Sequence, residues 1–207
     1  MHKTLLTCAT ALALGAATLP AFAQSAGDWT LGLGAHVVDP KSGNGHLADG
    51  TLAVNVDDDI KPTITFEYFL RDGLGLEVLA AWPFEHDIAL AGLGTVGSTK
   101  QLPPTVSLQY HFNAAGKVSP FVGAGVNYTT FFSEDTRGAL AGADLKLDDS
   151  WGLAAHAGVD FSVGQRSAIR IDARWIDIDS DASLDGAGLG TVHIDPIVYG
   201  AAYVMKF

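Results

Sequence analysis

Arg170, Asp172 and Arg174 alternate along one stretch of the chain. Successive side chains of an extended chain point to opposite faces, so these three share a face. Glu67, Glu77 and Asp160 hold matching alternate positions in other stretches. Such a set suits either a gated ion path or a buried charge network that ties strands together. An unpaired charge in an interior is costly, so a paired network of Arg170, Asp172, Arg174, Glu67 and Glu77 is the expectation. Glu85-His86-Asp87 has the residue types of a catalytic or metal cluster, but neighbours in an extended chain diverge. Asp57-Asp58-Asp59, Asp144, Asp148 and Asp149 offer oxygen ligands, yet no dedicated loop spacing accompanies them. They read as a solvated acidic surface, and no metal site is assigned. His36, His111 and His156 share the same faces as the charges. An esterase would need a nucleophile beside one of them, but Ser107 and His111 stand four residues apart, about 13 Å along a strand. No catalytic residue is assigned, no enzyme is expected, and no cofactor is implied.

The elements that must carry these residues are strands. Strict alternation fills Trp29–Val38, Thr63–Leu70, Leu74–Trp82, Pro104–Phe112, Phe121–Phe132, Trp151–Phe161, Ile169–Trp175 and a last run ending at Phe207. About ten residues is the length that a tilted strand needs to cross a bilayer. Short links near 71–73, 113–118 and 163–167 alternate with long ones near 39–60, 83–102, 133–149 and 179–192. That asymmetry predicts an all-β fold: an eight-stranded antiparallel transmembrane β-barrel with short turns at one rim and long loops at the other.

The N-terminus fits export. Met1, His2 and Lys3 form a positive start, an apolar stretch from Leu5 to Leu19 follows, Pro20 breaks it, and Ala21-Phe22-Ala23 has the small residues of a cleavage site. Residues 1–23 read as a signal peptide cleaved after Ala23, and residues 24–207 as the barrel. The single cysteine, Cys8, lies within the leader, so the mature chain has neither disulfides nor thiolate chemistry. The formal net charge of −11 makes nucleic acid an unsuitable partner.

Alternation alone does not say which face meets hydrocarbon. Three features decide. The polar face is also small, rich in Gly, Thr, Ser and Ala, as a narrow interior requires. Aromatics of the apolar face gather near strand ends, among them Trp29, Trp82, Tyr110, Phe112, Tyr128, Trp151, Phe161 and Trp175, as two interfacial girdles would. The chain closes with Tyr203, Met205 and Phe207 at alternate positions, an ending that resembles the signal read by outer-membrane assembly machinery. A Gram-negative outer-membrane location and contact with its lipid follow.

The order of blocks then becomes specific. Leu76-Glu77-Val78-Leu79-Ala80-Ala81-Trp82-Pro83-Phe84 followed by His86, Leu102-Pro103-Pro104-Thr105, Pro120 to Phe132, Asp149-Ser150-Trp151-Gly152, Gly158-Val159-Asp160, Trp175 to Asp179 and Asp195-Pro196 resemble, in order, the outer membrane protein W family. The resemblance covers essentially the whole mature chain. It implies a barrel that passes small hydrophobic solutes inward and releases them sideways into the membrane. Phe69, Leu79, Phe121, Phe131 and Ile176 are apolar residues on the inward face and are the expected lining, with Leu79 foremost because it falls at an inward position of the family's third-strand motif. Leu52, Val54, Trp82 and Phe84 are the expected outer vestibule. Arg174 departs from the family, which more often carries an aromatic or apolar residue there. A charge beside Asp172 would narrow the lower passage. On residue type alone a greasy tunnel and a packed plug look the same. The alternative is therefore a plugged structural or adhesion barrel acting through its loops.

Overall fold

β-branched and aromatic residues at every second position build strands, and the glycine-bearing turns between them set which strands pair. The computed structural model describes residues 22–207, so the expected leader lies almost wholly outside the described residues. Fifteen strands form: β1 (Trp29–Asp39), β2 (His46–Leu47), β3 (Leu52–Val56), β4 (Asp59–Arg71), β5 (Leu74–Ala81), β6 (Phe84–Leu90), β7 (Gly94–Leu102), β8 (Thr105–His111), β9 (Val118–Thr136), β10 (Leu145–Leu147), β11 (Ser150–Gly164), β12 (Ser167–Ile176), β13 (Asp179–Leu184), β14 (Ala187–His193) and β15 (Ile197–Lys206).

Eight of them, β1, β4, β5, β8, β9, β11, β12 and β15, pair antiparallel in a closed ring. Closure satisfies every ladder, as hydrocarbon demands. The register can be followed round the ring from Trp29 through Tyr68, Leu76, Leu108, Ala124, Ala155, Trp175 and Ile197 back to Asp39. The stagger is thus 39 minus 29, or ten residues, which inclines the strands by about 35–45° to the barrel axis.

The long links are not irregular loops. Six short strands, β2, β3, β6, β7, β10 and β13, and a seventh, β14, occupy them. The upper part of β9 continues into a sheet with β7, β6, β3 and β2. β10, β13 and β14 form a second sheet. The two sheets meet where the Ala48 N–H donates to Leu189 O at 2.9 Å, and Thr136 Oγ1 on β9 donates to Ala143 O at 2.9 Å. The result is a second ring standing on the first. Sequence alternation missed it because these strands are short and the Gly-rich hairpins between them resemble loops.

Outside the lower ring, Leu33, Ile64, Phe66, Leu76, Val78, Val106, Leu108, Val126, Leu153 and Ile171 stay exposed, an apolar band that water would not tolerate but lipid requires. Trp29 stacks on Phe207 with ring centroids 4.3 Å apart at one end of the band, and Tyr128 packs on Trp151 at 4.8 Å toward the other.

Candidate functional site

The lower half of the lumen is closed by a charged floor. Arg170 on β12 donates to both carboxylate oxygens of Asp160 at 2.8 and 3.0 Å, to Glu77 at 2.8 Å and to Glu67 at 3.3 Å. Its guanidinium lies 4.5 Å from the centroid of the Phe121 ring. Arg174, two repeats of the pleat higher, donates to Asp172 at 2.9 Å and to the other oxygen of Glu77 at 2.7 Å. Glu77 therefore bridges the two guanidiniums. All six groups are buried. Pairing of this quality is what makes charge tolerable in such an interior.

Amide, hydroxyl and imidazole groups complete the layer. Gln109 Nε2 donates to Glu67 at 3.0 Å, and Gln109 Oε1 meets His156 Nε2 at 2.8 Å. His111 meets Glu67 at 3.1 Å, and His36 joins Asp172 at 3.1 Å to Thr63 at 2.6 Å. Gln24, the first residue after the expected cleavage point, donates to Asp160 and accepts from Ser119, both at 3.0 Å. Small residues make room: a Cβ at Gly123 would fall 2.5 Å from His156 Cε1, and one at Gly75 2.7 Å from Glu67 Cγ.

Above the floor the chemistry reverses. Val38, Val54, Val56, Phe84, Ile88, Val96, Phe131, Ile176, Ile178, Val192, Ile194 and Val198 form one continuous apolar cluster where the two rings meet. Within it lies a slender chamber lined by Val56, His86, Ile88, Thr99, Gln101, Phe131 and others. Its cavity volume is about 20 Å³. At rest it holds one water at most, and anything larger enters by pushing side chains aside.

The expected lining residues are all buried, but they divide between the two zones. Phe131 and Ile176 belong to the apolar cluster. Phe69 and Phe121 belong to the floor, packed on His111 at 5.5 and 5.1 Å. Leu79 is buried outside the apolar cluster, opposite Thr105 at the end of the β5–β8 ladder. Of the expected vestibule, Leu52, Val54 and Phe84 pack in the upper cluster. Trp82 does not: it is 72% exposed and shares an outer hollow with Leu33, Pro62 and Ile64. It ends the β5 pleat on the face that meets lipid, so it corrects the vestibule assignment. Arg170, Asp172, Arg174, Glu67 and Glu77 form one network, with Asp160 as a further member. Tyr203 and Phe207 are exposed on the lipid face, and Met205 is half-buried.

Glu85, His86 and Asp87 diverge. His86 points inward, while Asp87 pairs with Arg137 outside and Glu85 reaches Lys100 at 4.0 Å. The carboxylates of Asp57 and Asp59 accept from the backbone N–H groups of Asp87 at 2.5 Å and Glu85 at 2.8 Å, so they staple β6. Asp177, Asp179 and Asp195 come within 4.8 Å of one another, with Lys41 as counter-charge on Asp195 at 2.6 Å and His193 Nδ1 hydrogen-bonded to Asp179 at 2.5 Å. Reading the sequence did not single out Gln24, Gln101 or Gln109. Only Gln109 lies on a strand whose alternation was legible, at an inward position; Gln24 precedes β1 and Gln101 lies on β7, within a stretch read as a loop.

A closed ring with a lipid-facing apolar band, a polar lumen and a tall outer layer defines a bacterial outer-membrane β-barrel. The OmpW family model matches residues 25–207. Outer membrane protein W of Vibrio cholerae is 35% identical over 97% of this chain and 98% of its own length. That of Escherichia coli is 36% identical over 92% and 94%. The crystal structure of OprG from Pseudomonas aeruginosa superimposes with a TM-score of 0.82 at 35% identity, covering 90% of this chain and 99% of that one. The chain belongs to the OmpW family.

Proposed function

We propose that the protein admits small hydrophobic molecules through the outer ring and releases them sideways into the membrane. The observation that carries this reading is the sharp change of chemistry inside the barrel: a mainly apolar chamber above, a floor of paired charges below. A greasy solute gains by entering the chamber, at roughly 25 cal/mol per Å² of apolar surface removed from water. It would lose by crossing the floor, where it must break paired charges. The straight route to the periplasm is thus unfavourable for such a solute, which leaves the wall.

The wall has a weak point at the right height. The ladder between β5 and β8 stops at Leu79 and Thr105, while β5 stays paired with β4 as far as Ala81. Pro103 and Pro104 come next and offer no backbone N–H. The Pro104 carbonyl is taken instead by Asn127 Nδ2 at 3.2 Å and by the Tyr128 N–H at 3.1 Å, both on the β9 side. Leu79 sits at this point. Leu79→Arg should abolish uptake of a hydrophobic solute into proteoliposomes while the folded barrel persists. Undiminished uptake by that variant would refute the channel.

The plugged structural barrel, acting through its outer ring, draws support from the completeness of the floor. The same uptake assay decides between them, since a plug transports nothing in either form.

A further inference from the structure

One polar atom in the chamber lacks a partner. Gln101 is fully buried, and its Oε1 makes no hydrogen bond among the described residues. The residue stands in an otherwise apolar cross-strand row, between Phe84 on β6 and Phe131 on β9. A buried amide costs stability unless both its ends are satisfied, so this one calls for an explanation.

The orientation of that amide follows from its neighbours. His86 Nδ1 lies 2.6 Å from the Asp57 carbonyl oxygen, which can only accept, so Nδ1 carries the proton. Burial holds His86 below the usual histidine range, outweighing the backbone contact and the charges of Asp57 and Asp59 that act the other way. The ring is therefore neutral near pH 7, and Nε2 has a lone pair. Gln101 Nε2, at 3.0 Å from it, must donate. The chain of bonds runs from Asp57 through His86 to Gln101 and leaves an acceptor, not a donor, at its free end. The residues that line the chamber beside it include Val56, Ile88, Phe131 and Ile194.

We propose that Gln101 sets the specificity of the chamber, selecting apolar solutes that carry one hydroxyl group over hydrocarbons of the same shape. This rests on the transport reading above. The apolar body replaces contacts with Phe131 and Ile88, and the hydroxyl hydrogen is donated to Gln101 Oε1. A water at this spot would be displaced by a group that repeats its bond, which is the favourable kind of displacement. His86 is a positioning residue, because it fixes which end of the amide faces the solute.

Phenol and benzene test the idea as matched rings. Each is titrated into the full mature protein in nanodiscs, referenced to its free aqueous concentration, while chamber methyl resonances and the Gln101 side-chain amide are followed by NMR. Phenol should shift the Gln101 amide and benzene should not. In Gln101→Met the ratio of phenol to benzene affinity should fall about tenfold, the scale of one buried hydrogen bond lost. Benzene affinity itself should hold. Gln101→Asn, which withdraws the oxygen by one methylene, should give an intermediate ratio and serves if the methionine variant does not fold. A ratio unchanged in these variants would overturn the proposal while leaving the transport reading intact. If neither ring perturbs any chamber residue, both fall.

Discussion

Glu77 shows what a single side chain does in this lumen. One carboxylate, on β5, accepts from Arg170 at 2.8 Å and from Arg174 at 2.7 Å on β12, across the barrel interior. Removing it takes a shared partner from both guanidiniums at once, leaving Arg170 on Asp160 and Glu67 and Arg174 on Asp172 alone. Glu77→Ala should cost about 3–5 kcal/mol of barrel stability, measured by urea unfolding in micelles. Glu77→Gln should recover part of that, since it still accepts from one guanidinium. A loss below about 1 kcal/mol for Glu77→Ala would show that water has entered the floor and screens it. The sequence made the existence of this network legible, because Arg170, Asp172 and Arg174 alternate and the parity of Glu67 and Glu77 can be counted. It did not make the partners legible. Arg170 meets Asp160 on its neighbour β11 and Glu77 on the far side, and which carboxylate is near depends on a ten-residue stagger that no local pattern encodes.

At the scale of elements, the eight wall strands were readable from alternation and girdle aromatics, and their ends fall within a few residues of the expected ones. The outer ring was not. β2 and β10 have only two and three residues, too few to show a period. Ser133 adds a bulge with φ of 55° that breaks the parity of β9 just where it leaves the barrel. That hairpin layer carries its own titration. His86 on β6 has its folded-state affinity for protons lowered by burial. A group depressed in this way leaves stability intact above its unfolded pKa, near 6.5, and withdraws it as pH falls from there toward the folded value. Hydrogen-exchange protection factors for β6 and β7 should therefore drop between pH 7.5 and about pH 5. His86→Gln should flatten that dependence. Protection that is equally pH-independent in both proteins would argue against the buried neutral imidazole.

The whole molecule separates two chemistries by height. Its floor is a network of paired charges, and its chamber is lined mainly by apolar residues. Arg170→Ala combined with Glu77→Ala should remove the bridge across the lumen and leave the remaining carboxylates facing a void. Single-channel recordings in planar bilayers should then show a severalfold rise in cation conductance, about three- to tenfold if water fills the gap. Unaltered conductance would mean that His111, Gln109 and Phe121 suffice to seal the barrel.

β9 is long enough to belong to two solvents. Its nineteen residues begin among lipid-facing Val122 and Val126, pass the Tyr128–Trp151 pair and end at Thr136 in the upper ring. Eight residues beyond Tyr128, on a strand inclined as above, reach roughly 15–20 Å along the membrane normal. A headgroup layer is about 5–8 Å deep. The rim of the upper ring thus clears a headgroup layer of that depth. On the transport reading proposed above, a hydrophobic solute descending inside the ring would be kept out of that polar layer.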